Sequence, residues 1–388
     1  MHIVADQNIP LLDAFCGGLG RLTRVDGRTL GPAQLADADV LLVRSVTRVN
    51  ADLLAGTGVR FVGTATIGTD HVDTRWLAER GIAFASAPGC NASSVVQYVL
   101  SVISLFLIRQ QRPGYGALSV GVIGAGNVGG ALVRVLMDLG VAVSVSDPPL
   151  QAQGADLPFA SLQDILRCDV VSLHTPLTRE GRHATTHLLD AARLASLGTG
   201  QLLMNSGRGP AIDNRALLAR LQAPEPPMVA LDVWENEPEP LPELVDRCWL
   251  ATPHIAGYSL EGKSRGTEMI ARALHHWAGA DFDTRLATVL PPPGLSELHF
   301  THQVSPMDAL HRALMACYDP RDDDNRLRGA FARADADGTP KGRAFDELRK
   351  HYPVRREPPS LTVGVPADGT ITWGLSQCGF RLAEDPGA

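Results

Sequence analysis

Residues 118–147 read LSVGVIGAGNVGGALVRVLMDLGVAVSVSD, and this stretch decides the fold. An apolar run, Leu118 to Ile123, leads directly into Gly124, Ala125, Gly126, Asn127, Val128 and Gly129. A helical pattern from Ala131 to Leu139 follows and stops at Gly140, and a second apolar run, Val141 to Ser146, ends in Asp147. In a GxGxxG loop the first glycine makes a tight turn, the second lets a pyrophosphate approach the backbone, and the third packs helix on strand. The helix N-terminus then faces the phosphates. An acid ending the next strand accepts hydrogen bonds from the adenosine ribose and repels a 2'-phosphate. Strand, loop, helix, strand and acid occur here in that order. Gly124, Gly126, Asn127, Val128, Gly129 and Asp147 are therefore expected to bind a dinucleotide, NAD rather than NADP. A plain turn with a surface aspartate before Pro148 and Pro149 does not explain the order.

Outward from this unit the rhythm continues. Val170 to Leu173, Gln201 to Asn205, Val229 to Leu231 and Trp249 to Ala251 read as further strands of one doubly wound sheet. Upstream, His2 to Ala5, Val40 to Val43, Arg60 to Gly63 and Ile82 to Ala85 alternate with amphipathic segments, the pattern of a small parallel α/β domain. Asn91 to Arg109 is a long apolar helix pattern able to carry the chain between the two, and Glu261 to Ala278 is again helical. Pro291, Pro292, Pro293 and Gly294 mark a linker. In the remaining tail, Ser305 caps a helix beginning at Pro306. Arg321 to Asp324 reads as a polar loop, Phe345 to Tyr352 as a helix and Leu361 to Val365 as a strand, which together make a compact α+β unit.

At 388 residues the chain is long enough for two or three domains. A net charge of -7 with both signs dispersed argues against nucleic acid or a polybasic membrane anchor. Six scattered cysteines without CxxC spacing predict reduced thiols and no metal. The start MHIVADQNIP has no basic region followed by an apolar one, and no run of about 18 apolar residues is read. A soluble, cytoplasmic protein is expected.

The chemistry sits after the nucleotide loop. Arg208 lies in Asn205–Ser206–Gly207–Arg208–Gly209, just past an apolar strand, where ligands gather in open α/β sheets. Its planar fork can hold a carboxylate and a neighbouring oxygen; the alternative is a surface ion pair. His254, in Thr252–Pro253–His254–Ile255–Ala256–Gly257, carries an imidazole that can take or return a hydroxyl proton. Glu237, in Asp232–Val233–Trp234–Glu235–Asn236–Glu237–Pro238, is the natural partner to fix its tautomer. Glu237 can also be one of several solvated glutamates. An arginine, a glutamate and an imidazole beside a nicotinamide site are what oxidation of a 2-hydroxy acid requires.

Together the glycine loop with its acid, NSGRG, LDVWENEP and TPHIAG resemble the D-2-hydroxyacid dehydrogenase family over roughly residues 1–285. The resemblance implies two Rossmann-like domains forming a cleft, Arg208 on the substrate carboxylate, His254 as acid/base and Glu237 orienting it. It adds Thr175, Asp232 and Gly257 to the cofactor positions. VRSVT (43–47), GTATIGTDHVD (63–73), APGCNA (87–92) and HIAGYSLEGKSRGT (254–267) are similar to one branch, which oxidises 4-phospho-D-erythronate on the way to pyridoxal phosphate. Ser45, Thr66 and Tyr258 match that branch's substrate positions, and Arg44 is a further candidate for the phosphate. The implied layout is a substrate domain from 1–94 and 258–286, an NAD domain from 95–257, and a C-terminal α+β domain from 290–388 that forms a homodimer. Ser206 and Gly207 depart from the pattern, which has alanine and cysteine there. Ile67 stands in place of a small residue, and Asp368 to Gln377 reads as a poorer helix than the family's tail. Two rivals remain: a dehydrogenase of 3-phosphoglycerate or another D-2-hydroxy acid, and an NAD-sensing corepressor-like binding protein.

Overall fold

The computed structural model describes residues 1–365 and 369–383 and divides the chain into two compact units, 1–92 with 258–292, and 93–257 with 293–388. In the first unit five parallel strands, β1 (His2–Asp6), β2 (Arg21–Val25), β3 (Val40–Val43), β4 (Phe61–Thr64) and β5 (Ala83–Ala85), lie in the order β2-β1-β3-β4-β5. Successive side chains of a strand face opposite sides of the sheet. Accordingly Ile3, Ala5, Val40 and Leu42 enter one core with the helix Leu260–Ala278, while Val4, Leu41, Val43 and Val62 enter the core on the opposite side. Burial on both faces is why these strands read as continuous apolar runs. β2 was not legible that way: it is an edge strand whose Arg21 and Arg24 are exposed.

The second unit holds six parallel strands, β6 (Ser119–Ile123), β7 (Ala142–Ser146), β8 (Val170–Leu173), β9 (Leu202–Asn205), β10 (Met228–Leu231) and β11 (Leu250–Ala251), ordered β11-β10-β9-β8-β6-β7. The order reverses between β6 and β8, the switch point at which such sheets bind ligands. Beyond β7, a next strand survives only as an isolated bridge between Val145 and Phe159.

A third sheet, β12 (Glu297–His299), β13 (Thr362–Gly364) and β14 (Arg381–Leu382), belongs to the tail. The tail also packs directly on the six-stranded sheet's core: Leu327, Phe331 and Phe345 are buried with Val171, Leu231 and Trp234. Two expectations fail here. Arg321 to Asp324 is no loop but the first turn of a helix, Pro320–Asp337. Asp319 caps it, Pro320 takes the position whose missing N–H costs nothing, and Asp322 and Asp323 face the positive end of the helix dipole. Asp324 then accepts the Ala251 N–H at 2.8 Å, closing the exposed edge of β11. Gly369–Gln377 is a helix despite its two glycines, while Asp368 falls outside the described residues.

The helix Ala92–Arg109 matches the long apolar helix read from Asn91 to Arg109. By length and composition it could cross a membrane, with mean hydropathy 1.6, yet 78% of it is buried inside the protein. Its polar residues explain the fit. Ser94 donates to Ala256 O at 3.0 Å, Gln97 to Arg356 O at 3.2 Å, and Ser104 pairs with His311 at 2.9 Å, so the helix is built for a protein interior. All six cysteines are free thiols, and burial pushes Cys16 up to about 12, far from a reactive thiolate.

Candidate active site

Three neighbouring strands deliver three side chains of the candidate site. Arg208 lies three residues beyond β9, Asp232 follows β10 immediately, and His254 lies three residues beyond β11, all at the C-terminal edge of the sheet. Two close approaches bind these loops together. A Cβ on Gly209 would lie 1.9 Å from Trp234 O, so only glycine lets the Arg208 loop meet the Trp234 loop. His254 N–H donates to Asp232 O at 2.7 Å.

His254 Nδ1 and Glu237 Oε2 are 2.6 Å apart, the pairing expected from sequence. Glu237 Oε1 also accepts the Trp234 N–H at 2.9 Å. Trp234 is itself buried, with its indole N–H on Thr252 O at 3.0 Å, so both ends of the Glu237 loop are anchored. Burial pushes the Glu237 carboxyl up. The imidazole charge, its hydrogen bond, the Trp234 N–H and the charge of Arg349 together outweigh this and hold it below the usual glutamate range. A depressed carboxylate stabilises the fold above its unfolded pKa and loses that contribution as pH falls through the folded one. The unfolding free-energy difference between wild type and Glu237→Gln should therefore narrow as pH drops below about 4.5. In denaturant titrations between neutral and acid pH, a gap that stays constant would mean that the pairing contributes nothing.

Asp232 is buried, and its carboxylate accepts Thr252 Oγ1 at 2.7 Å, Ile255 N at 2.8 Å and Ala256 N at 2.9 Å. Its observed contacts thus fasten the residues that follow His254. Arg208 donates from Nη1 to Gly207 O at 2.9 Å, and the Asn205 side chain pins the same turn through Arg208 O and Gly207 N, both at 3.0 Å. The departure at Ser206–Gly207 has a local cause: a Cβ at 207 would lie 2.9 Å from Thr175 O, and Ser206 Oγ pairs with His174 Nδ1 at 3.3 Å.

At the switch point the glycine loop has the form a dinucleotide needs. Gly124 has φ +84, and a Cβ there would lie 2.9 Å from Thr175 Cγ2. A Cβ on Gly129 would lie 1.9 Å from Gly124 O, whereas one on Gly126 would meet nothing within 4 Å, leaving that face open to a ligand. The helix begins at Asn127, four residues earlier than its apolar pattern. Asn127 is exposed and Val128 half-buried at its mouth. Asp147 accepts Ala125 N–H at 2.8 Å and Leu150 N–H at 3.0 Å, tying the loop to β7. Thr175 Oγ1 is buried with no partner among the described residues, a polar group that a bound cofactor would satisfy. Gly257 is half-buried at the end of the His254 loop.

The other four candidates lie in the first unit. Arg44 and Ser45 follow β3, half-buried and exposed respectively, and Thr66 follows the adjacent β4. Thr66 Oγ1 is 2.8 Å from Thr64 Oγ1, which in turn pairs with His71 at 2.9 Å. Tyr258, half-buried, carries Lys263 Nζ 4.4 Å from its ring centroid.

Several supporting residues have no motif to reveal them. His174, neutral because burial pushes it down to about 4, joins Ser172 at 2.9 Å to Ser206. His187, Asp213 and Glu235 bring three metal-type ligand atoms within 4.8 Å. Glu235 already accepts His187 Nε2 at 2.6 Å and Asn214 N–H at 2.9 Å, so the cluster locks the chain after Arg208 to the chain before Glu237. The helix Lys341–Lys350 supports the same turn: a Cβ on Gly342 would lie 2.8 Å from Glu239 Cγ.

Known proteins resemble this chain in sequence and in fold. A model of the D-isomer specific 2-hydroxyacid dehydrogenase, NAD binding domain, matches residues 110–256, and one described as a domain of unknown function matches 289–377. The chain is 54% identical over 387 residues to the erythronate-4-phosphate dehydrogenase of Marinobacter nauticus, covering 98% of this chain and 100% of that one. The protein of the same name from Pseudomonas aeruginosa PAO1 is 50% identical over 383 residues, at 98% and 100% coverage. A D-lactate dehydrogenase from Aquifex aeolicus, complexed with NAD and lactic acid, superposes with TM-score 0.57 at 21% identity over 72% of this chain and 96% of its own. For a 3-phosphoglycerate dehydrogenase from Entamoeba histolytica the values are 0.61, 20%, 74% and 98%, and at such identities the likeness is one of fold. Over its full length the chain belongs to the erythronate-4-phosphate dehydrogenases, a branch of the D-isomer-specific 2-hydroxyacid dehydrogenases.

Proposed function

We propose that the protein oxidises 4-phospho-D-erythronate to 3-hydroxy-2-oxo-4-phosphooxybutanoate with NAD, a step toward pyridoxal 5'-phosphate. The chemistry is carried by the 2.6 Å pairing of His254 Nδ1 with Glu237, which leaves Nε2 as the ring nitrogen to take the C2 hydroxyl proton. Full-length identity to enzymes of that name supports the substrate. NAD supplies the acceptor for the C2 hydride. Gly124, Gly126, Asn127, Val128, Gly129, Asp147, Thr175, Asp232 and Gly257 are the residues to hold it, which the orphaned Thr175 hydroxyl and the open face of Gly126 favour. Arg208 binds the substrate carboxylate, with Ser45, Thr66, Tyr258 and Arg44 contacting the remaining oxygens.

In this reading 1–94 with 258–286 form the substrate domain, 95–257 the NAD domain, and 290–388 a dimerisation domain of a cytoplasmic homodimer. Exposed Leu295, Val354 and Trp373, all in the last segment, favour an interface there. The test is NADH absorbance with 4-phospho-D-erythronate and 3-phosphoglycerate offered in parallel, a 2-oxo acid being added in a second set. Faster turnover of the four-carbon acid is expected. Preference for 3-phosphoglycerate would reassign the substrate, and no turnover with either would leave a binding protein on the same scaffold.

A further inference from the structure

His254 has φ +56, a left-handed backbone that strains a non-glycine residue and persists only where its surroundings impose it. What imposes it is visible in the next two peptide groups. The N–H groups of Ile255 and Ala256 are held by the two oxygens of buried Asp232, at 2.8 and 2.9 Å. Their carbonyls are held from the other side by a single guanidinium, that of Arg355: Nη1 donates to Ile255 O at 3.4 Å and Nη2 to Ala256 O at 2.5 Å.

Arg355 is 5% exposed and comes from the C-terminal segment, 101 residues beyond His254 in the chain. Its Nη2 also donates to Ser94 O at 3.0 Å and to the Ser94 hydroxyl, and its guanidinium lies 4.2 Å from the ring centroid of Tyr318. Ser94 Oγ in turn reaches Ala256 O at 3.0 Å. Burying a full positive charge is costly unless it is thoroughly hydrogen-bonded. A planar fork is the group that can span two successive carbonyls while stacking on an aromatic face, and an ammonium cannot do so.

We propose that Arg355 is a positioning residue for His254, clamping Ile255 and Ala256 against Asp232 so that the imidazole is held on Glu237. The C-terminal segment then takes part in building the catalytic loop in addition to any role in association. This rests on the reading of His254 as the acid/base group.

The test compares wild type, Arg355→Lys and Arg355→Ala as full-length protein. With the histidines labelled with 15N, the short His254–Glu237 bond should give a downfield proton, assigned by its absence in His254→Ala and observable with no substrate present. Arg355→Ala should lose that signal and lower kcat on the order of 10²-fold, the cost of displacing a catalytic group by about 1 Å, with KM for NAD unchanged. Guanidinium at sub-denaturing concentration should restore part of both. Arg355→Lys, which keeps the charge but not the fork, should fold and still show a shifted proton and reduced kcat. It carries the test if the alanine variant does not fold. A folded variant of either kind with the wild-type proton signal and wild-type kcat overturns the proposal. Wild-type protein inactive on 4-phospho-D-erythronate would sink the substrate reading alone, because the proton signal still reports on Arg355.

Discussion

His254→Ala should lower the rate of NADH formation by about 10²–10⁴-fold, the usual range for loss of a positioned general base, while NAD still binds. The reason lies in which loops do which task. The dinucleotide loop Gly124–Gly129 and Asp147 belong to β6, β7 and the helix between them, whereas His254 follows β11. Removing the imidazole thus deletes the proposed proton acceptor and leaves the glycine loop intact. Alanine is disfavoured at φ +56, so a second variant is needed to separate backbone from chemistry. Asparagine tolerates the left-handed region well, and His254→Asn keeps the loop's shape without a base of suitable strength. Equal losses in both variants, with unchanged NAD affinity by fluorescence titration, would assign the loss to the imidazole. Loss confined to alanine would assign it to the backbone, and wild-type turnover in His254→Asn would remove His254 from the mechanism.

What was legible in the chain follows physical lines. The inner strands of both large sheets are buried on their two faces and so appear as apolar runs. The GxGxxG loop appears because close backbone approach admits only glycine, as the 1.9 Å clash at Gly129 illustrates. Arg208, Glu237 and His254 were readable because each sits in a short local pattern at a strand end. Arg355, Asn214 and His187 were not, because their partners are distant in sequence and their roles exist only after folding. Arg321 to Asp324 misread for a different reason: a run of charges after a proline is a turn by composition but a helix start by position, and the chain downstream of it decides between them. The long helix Ala92–Arg109 was legible from its apolar pattern, and what the pattern did not carry is the placement of Ser94, Gln97 and Ser104 against partners elsewhere in its unit.

Replacing Arg208 separates its charge from its shape. Each charge-assisted hydrogen bond to a carboxylate is worth about 1.5–3 kcal/mol. A bidentate fork losing both bonds in Arg208→Gln should drop kcat/KM by about 10²–10⁴-fold. Arg208→Lys keeps the positive charge and one bond and should lose about 10–10²-fold. The turn itself should survive both changes, because it is pinned by Asn205 to the backbone of Gly207 and Arg208 and by the close approach of Gly209 to Trp234, neither of which uses the guanidinium. Steady-state kinetics on the phosphorylated acid would therefore rank the two contributions. A lysine variant as weak as glutamine would mean that the planar fork is what the substrate reads. A lysine variant equal to wild type would mean that charge alone suffices. Wild-type kinetics in both would mean that Arg208 does not touch the substrate carboxylate, which returns it to an ordinary ion-pairing residue at the end of β9.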